Sequence, residues 1–232
     1  MPAPSPLPAA LLDHAARHPD EPWLFYREGW DWQWHSWGEM AGRVVLRAEG
    51  LASLAPGTKV PVPDIPLPDS IVLDLAVQAA GLDSVPEGEA NRFVELSQTD
   101  LLAAAQRIQD EIPPPPEPRR EILVAGRSLF DPADRALFAW ATVTGAAVLL
   151  EPNLHSRAAT AAWARPTVFH GTAEEIAALR RLAGSGKRWW RRTPGLPFGR
   201  LRVLFATDGE LPEEEAAFWQ ERGVKVTAAR MR

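Results

Sequence analysis

Five histidines and a complete lack of cysteine limit what this sequence can do with nucleophiles and metals. His14 and His18 fall four residues apart on a helix-like stretch, a spacing at which two imidazoles share one face and could hold a metal. No glutamate lies between them in the zinc-peptidase manner, and Pro19 follows. His18 therefore reads as a charge at the negative end of a helix dipole. His170 ends an apolar stretch that reads as a parallel strand, and Gly171 follows it. Ligands in open α/β sheets bind beyond the carboxyl ends of strands, so His170 is either a ligand-contacting residue or a hydrogen-bonded core histidine. Lys187, Arg188, Trp189, Trp190, Arg191 and Arg192 form the one local basic–aromatic patch. They read either as a surface turn whose tryptophans pack inward or as a site for an anionic surface or a phosphate-bearing ligand. Glu210, Glu213, Glu214 and Glu215 cluster where a helix opens after Pro212, and acidic residues there complement the helix dipole.

Several chemistries are excluded by motif. No Gly-x-x-x-x-Gly-Lys-Ser/Thr, no Gly-x-Gly-x-x-Gly after a strand and no Gly-x-Ser-x-Gly occurs. Ala183-Gly-Ser-Gly-Lys187 follows a helix rather than a strand and reads as a helix end and loop. Without cysteine there is no disulfide scaffold, thiolate catalysis, zinc finger or iron–sulfur cluster. No cofactor and no bound metal is expected. The 232 residues are 46% hydrophobic with a net charge of −5, a globular composition that argues against nucleic acid as a partner. No apolar run reaches the roughly 18–20 residues of a membrane span. The opening Met1-Pro-Ala-Pro-Ser-Pro lacks the features of a signal peptide, so a cytoplasmic setting is expected.

The elements that would position these residues can be read from periodicity and capping. A helix over 7–18 precedes a hairpin, 23–27 and 30–34, whose Trp30, Trp32 and Trp34 alternate on one side. Those tryptophans read as plates over the core or as a sugar- or lipid-binding strip. Ser36-Trp-Gly-Glu39 is a capping box opening a helix to Gly50. A short strand around Val60 precedes Pro61, Pro63, Pro66 and Pro68, which are expected to forbid regular structure before a helix over 70–80. Residues 83–86 read as a short strand or connector, and Ser97 caps a helix over 98–111. Pro113 to Pro116 is expected to be a stiff spacer of about 12 Å between halves 1–112 and 117–232 of one compact domain. Beyond it, strands at 122–125, 146–150, 167–170, 201–206 and 224–227 alternate with helices at 131–144, 156–164, 172–183 and 212–222. Asp131-Pro132 and Thr172-x-x-Glu175 supply two helix starts. Strand–helix alternation with wholly apolar strands predicts an α/β fold, a mostly parallel sheet flanked by helices.

Read in order, these segments resemble the N-terminal domain of the adenylate-forming acyl-CoA synthetases, the long-chain fatty acid–CoA ligases above all. The resemblance runs through Leu11-Leu-Asp-His-Ala-Ala-Arg-His-Pro-Asp-Glu-Pro-Trp23, Ser36-Trp-Gly-Glu-Met40, Pro56-Gly-Thr-Lys-Val60, Leu75-Ala-Val-Gln-Ala-Ala-Gly81 and Val94-Glu-Leu-Ser-Gln-Thr-Asp100. It continues through Leu137-Phe-Ala-Trp-Ala-Thr-Val-Thr-Gly145, Arg165-Pro-Thr-Val-Phe-His-Gly171 and Leu201-Arg-Val-Leu-Phe-Ala-Thr-Asp-Gly-Glu-Leu211. It implies a reduced form of that domain, with ligand-binding positions at Asp131, His170, Gly171, Thr207, Asp208 and Gly209.

The departures imply lost chemistry. Where the family has a Ser/Thr/Gly-rich phosphate loop this chain has Ser84-Val-Pro-Glu-Gly-Glu-Ala-Asn-Arg-Phe93, whose two glutamates would repel phosphates. Arg92 lies close to the place of that loop's lysine. Asp131 stands where the ligases carry a histidine, and Asp208 puts a charge into a loop that borders the adenine. The family's magnesium-binding glutamate, ribose-binding aspartate and C-terminal lysine fall beyond Arg232. The expectation is a non-catalytic homologue that binds a protein partner, either a second copy of itself or a full-length synthetase, or an acyl-type ligand. The alternatives are a ligase or one half of a split ligase, and an anionic-surface-binding module acting through 187–192.

Overall fold

The structure, a computed structural model, describes residues 6–88, 96–112, 120–184, 201–207 and 209–228. Helix α1 (Pro6–Arg17) carries prolines only in its first turn, where their missing N–H groups cost nothing, and buries Leu7, Leu11 and His14. The hairpin β1 (Pro22–Glu28) and β2 (Asp31–Ser36) turns at Gly29, whose φ of +63° suits glycine. Helix α2 (Trp37–Leu51) starts at the Ser36–Glu39 capping box, with both reciprocal bonds formed. Strand β3 (Lys59–Val62), helix α3 (Pro68–Ala79) and strand β4 (Asp83–Pro86) follow, then α4 (Gln98–Glu111), capped by Ser97. The remainder alternates: β5 (Ile122–Ala125), α5 (Pro132–Thr144), β6 (Ala147–Leu150), α6 (Leu154–Ala164), β7 (Val168–Gly171), α7 (Ala173–Gly184), β8 (Val203–Ala206), α8 (Glu213–Gln220) and β9 (Lys225–Ala228).

Seven strands form one sheet in the order β2-β1-β6-β5-β7-β8-β9, parallel throughout except for the β1–β2 hairpin. β3 and β4 pair parallel in a separate two-stranded sheet. Because successive side chains on a strand point to opposite faces, each central strand feeds two cores. Leu123, Ala125, Val148, Leu150, Val168, Val203 and Phe205 face a large core completed by α1 to α5. Val124, Leu149, Phe169, Leu204 and Ala206 face a smaller one completed by α6, α7 and α8. In the larger core Trp23 stacks on Trp37 at 4.4 Å, and Trp37 in turn lies 4.7 Å from the His14 ring. His14 Nε2 bonds the Val143 carbonyl at 3.1 Å, so this histidine packs against the end of α5. His18 instead sits beside Glu21 at 3.1 Å.

The α/β class and the mostly parallel sheet agree with the sequence. Four local readings change. Pro61 stands inside β3 rather than ending it, as an edge position in a two-stranded sheet allows. Pro68 opens α3 rather than preceding it, since a first-turn proline removes only an N–H that lacks a helical partner. The Trp30–Trp34 row does not cap the core: Trp30 is 92% exposed and Trp34 49%, while Trp32 is half-buried and stacks on Trp163. The reason is that β2 is the edge strand, and at that edge α6 reaches only as far as Trp32. The acidic cluster opening α8 does more than complement a dipole, because Glu214 and Glu215 clasp Arg180 of α7 at 2.6 and 3.2 Å. Residues 113–116, read as a spacer, lie outside the described residues, and β1 from before them pairs with β6 from after them.

Candidate functional site at the strand ends

The chain leaves β5 to form β6 on one side, then crosses to β7 on the other. This makes the β5–β7 boundary the switch point where open α/β sheets present their crevice. Arg127 follows β5 and His170-Gly171 ends β7; Glu151 follows β6 and Thr207 follows β8. Arg127, Thr207 and His170 meet in one hydrogen-bonded chain. Arg127 Nη1 donates to Thr207 Oγ1 at 2.7 Å. Thr207 Oγ1 lies 3.0 Å from His170 Nε2, and His170 Nδ1 lies 2.7 Å from Asp134 Oδ1. Asp134 Oδ2 accepts the Ser128 N–H at 3.1 Å.

Local structure sets this up. Asp131 caps α5 by accepting from the N–H groups of Ala133 and Asp134, which points the first turn of α5 at the strand ends. His170 falls on the same sheet face as Val168, the face α5 covers. Gly171 is required by close approach: a Cβ there would come within 2.6 Å of the Phe169 ring and 3.0 Å of a Glu175 oxygen. Glu175 forms the expected capping box with Thr172 and also faces the buried Arg157 at 3.2 Å. Arg157 donates to the His170 carbonyl as well. Glu151, also buried, is held by Arg27 at 3.2 Å and Thr160 at 2.9 Å.

Burial works to raise the Asp134 pKa. The His170 imidazole, with its hydrogen bond, and the Arg157 and Arg127 guanidiniums outweigh it and hold the carboxyl below its ordinary value. Burial likewise pulls Arg157 down, opposed by Glu175, Asp134 and Glu151.

Hydroxyl, imidazole and carboxylate thus stand in the order of a nucleophile relay. Two features argue for a structural relay instead. His170 has no exposed surface, and the Thr207 N–H is already given to the Gly171 carbonyl at 2.9 Å, so it offers no oxyanion donor. Nor does the donor set fit a magnesium ion. Asp134, Glu151 and Glu175 are each taken by a base or by hydrogen-bond donors of the chain.

Of the positions expected to bind a ligand, the structure therefore gathers Asp131, His170, Gly171 and Thr207 at one edge. Gly209 follows at a φ of +111° with open space around its Cα, while Asp208 and 187–192 lie outside the described residues. Sequence reasoning missed Arg127, Asp134, Glu151, Arg157 and Glu175 as members of the cluster. Two signals for them were present: a charge within two residues of the ends of β5 and β6, and an arginine beside Ala158 and Ala161 on the apolar stripe of α6.

A further carboxylate fixes the loop from outside. Asp64 Oδ1 accepts from Ser128 Oγ at 2.6 Å and from the Leu129 and Phe130 N–H groups at 2.9 Å. Asp64→Ala is expected to cost about 1.5–3 kcal/mol in a urea titration, the range for hydrogen bonds to a charged acceptor. Asp64→Asn, which keeps an acceptor, should recover part of that. Equal stabilities for Asp64→Ala and the parent chain would remove this anchor from the account.

Comparison with protein-family models and with curated proteins gives no match. Solved structures do match. A fatty acyl CoA synthetase of Mycobacterium tuberculosis superposes with a TM-score of 0.74 at 10% identity, over 95% of this chain and 58% of its own. Coronafacic acid ligase of Pectobacterium brasiliense gives 0.73 at 13%, over 96% of this chain and 60% of its own. The fold is that of the acyl-CoA synthetases. A long-chain-fatty-acid-CoA ligase of Archaeoglobus fulgidus has the same fold, with a TM-score of 0.72 at 11% identity over 98% of this chain and 64% of its own. The chain thus spans 58–64% of the length of these acyl-CoA synthetase-fold structures. Among the described residues no helix is long and apolar enough to cross a membrane.

Proposed function

We propose that this chain is a compact, cytoplasmic relative of the adenylate-forming acyl-CoA synthetases that binds without adenylating. The observation that carries this reading is the closure of the strand-end cluster: every buried carboxylate there is already bonded within the chain, and both His170 nitrogens are occupied. Adenylation joins two anions and needs uncommitted cations and donors at the developing charge. Here Arg157 is ion-paired with Glu175 and donates from Nη2 to the His170 carbonyl, its buried Nη1 lacking a hydrogen-bond partner among the described residues, and Arg127 bonds Thr207.

What is bound is either another polypeptide, a second copy or a full-length synthetase, or an acyl-type ligand. The positions proposed to contact such a ligand are Asp131, His170, Gly171, Thr207, Asp208 and Gly209. The purified chain, given magnesium-ATP, fatty acid and CoA, should release no pyrophosphate above a protein-free blank, and millimolar magnesium-ATP should leave its tryptophan emission unchanged. Fatty-acid-dependent pyrophosphate release would overturn the reading. A second reading, half of a split ligase, draws on the chain's spanning 58–64% of the solved ligases. It requires that a second polypeptide carrying the family's C-terminal lysine confer that release.

A further inference from the structure

A cavity of about 650 Å³ lies away from the strand ends, between α2 and α3. That is within the usual range for small-molecule sites. Leu46, Leu51, Val72 and Leu73 give it apolar walls, and its polar lining is Arg43, Arg47, Asp69 and Ser70.

Three observations point to an anion at its polar end. First, α3 has no capping side chain; its first residue is a proline, and the Asp69 and Ser70 N–H groups have no acceptor among the described residues. Such a helix start carries partial positive charge and free donors. Second, Ser70 is only 5% exposed, yet its hydroxyl has no partner either. That hydroxyl lines the cavity and opens into it, leaving a donor and an acceptor for a bound group. Third, Arg43 and Arg47 stand one turn apart on α2. Arg43 is engaged by Asp69 and by His35, whereas Arg47 makes no ion pair among the described residues. Two guanidiniums against one carboxylate leave a net positive charge beside the bare helix start.

We infer that the α2–α3 cavity binds an amphipathic organic anion, its charged head held by Arg47, the Ser70 hydroxyl and the first N–H groups of α3, its apolar body lying along Leu46, Leu51, Val72 and Leu73. The head is a carboxylate or a phosphate monoester, which share this chemistry. The inference does not depend on the function proposed above, since no strand-end residue takes part.

The test is calorimetric titration of the full chain with octanoate, octyl phosphate, octan-1-ol and inorganic phosphate, followed by amide chemical shifts. At least one octyl anion should bind, shifting the Asp69 and Ser70 amides. Octan-1-ol and inorganic phosphate, each lacking one half of the ligand, should bind at least roughly 10-fold more weakly. The stronger of the two octyl anions identifies the head group. Arg47→Ala and Ser70→Ala should each weaken binding by roughly 10-fold, as expected for losing a hydrogen bond to a charged group. Arg47 is exposed, so its variant keeps the fold even where Ser70→Ala perturbs it. The inference is overturned if neither octyl anion binds at millimolar concentration, if Arg47→Ala binds as the parent does, or if the shifts fall at Gly171 and Thr207 instead. Pyrophosphate release would overturn the binding-only function and leave this result intact.

Discussion

Replacing Asp134 by alanine is expected to lower the unfolding free energy at neutral pH by about 3–5 kcal/mol, the usual cost of breaking a buried charged pair from one side. Asp134 is 4% exposed, and its loss leaves the buried His170 Nδ1 and the Ser128 N–H without their partner. Asp134→Asn keeps the shape and an acceptor and should cost less. The pH dependence separates charge from packing. Burial pushes the Asp134 carboxyl up, but His170, Arg157 and Arg127 bring it below its ordinary value, so its folded pKa lies beneath its unfolded one. A group depressed in this way stabilises the fold fully above its unfolded pKa of about 3.9, and the contribution fades as pH falls through the folded value. Urea titrations should therefore show a constant deficit of Asp134→Ala against the parent from neutral pH to about pH 5, narrowing below about pH 4. A deficit of the same size at the most acid pH would assign the loss to packing alone.

Gly126→Ala should come close to it, at about 3–5 kcal/mol, from backbone strain and overpacking together. Gly126 adopts a φ of +131°, and a Cβ there would lie 2.8 Å from the Glu151 nitrogen and 2.9 Å from its carbonyl carbon. Those atoms are backbone and cannot rotate aside. Gly29→Ala is the matched control: its φ is +63° and nothing lies within 4 Å of the added methyl. It should cost only the left-handed conformation, about 1–2 kcal/mol. Denaturation midpoints that fall equally for the two variants would show that close approach to Glu151 contributes nothing.

The contrast between these two glycines also marks how far the sequence could be read. Gly29 sits in a two-residue turn between alternating strands, and its role is visible in its neighbours. Gly126 needs to be glycine because Glu151, from another strand, passes beside it. The same division holds elsewhere. Ser36–Glu39, Thr172–Glu175 and Asp131-Pro132 were legible as helix starts because a cap is made within four residues. The wholly apolar strands announced a sheet buried on both faces. His170 was legible as a position at a strand end, but its partners Asp134 and Thr207 come from α5 and from beyond β8, and no spacing rule joins them. The reading of Trp30 and Trp34 as plates over the core fails because a strand's alternation tells only which residues share a face. It does not tell whether anything covers that face at the sheet edge.

The placement of β1 beside β6, Leu24 against Val148 and Phe25 against Leu149, governs the order in which this protein can assemble. During synthesis the β1–β2 hairpin leaves the ribosome long before its parallel neighbour exists, and it must wait with Leu24 and Phe25 unpaired on that side. Closing that long loop is entropically expensive and rewarded late, which is the signature of slow folders. Nascent chains ending before Ala147 should therefore lean on chaperones, and those extending past Leu150 should no longer need them for this edge of the sheet.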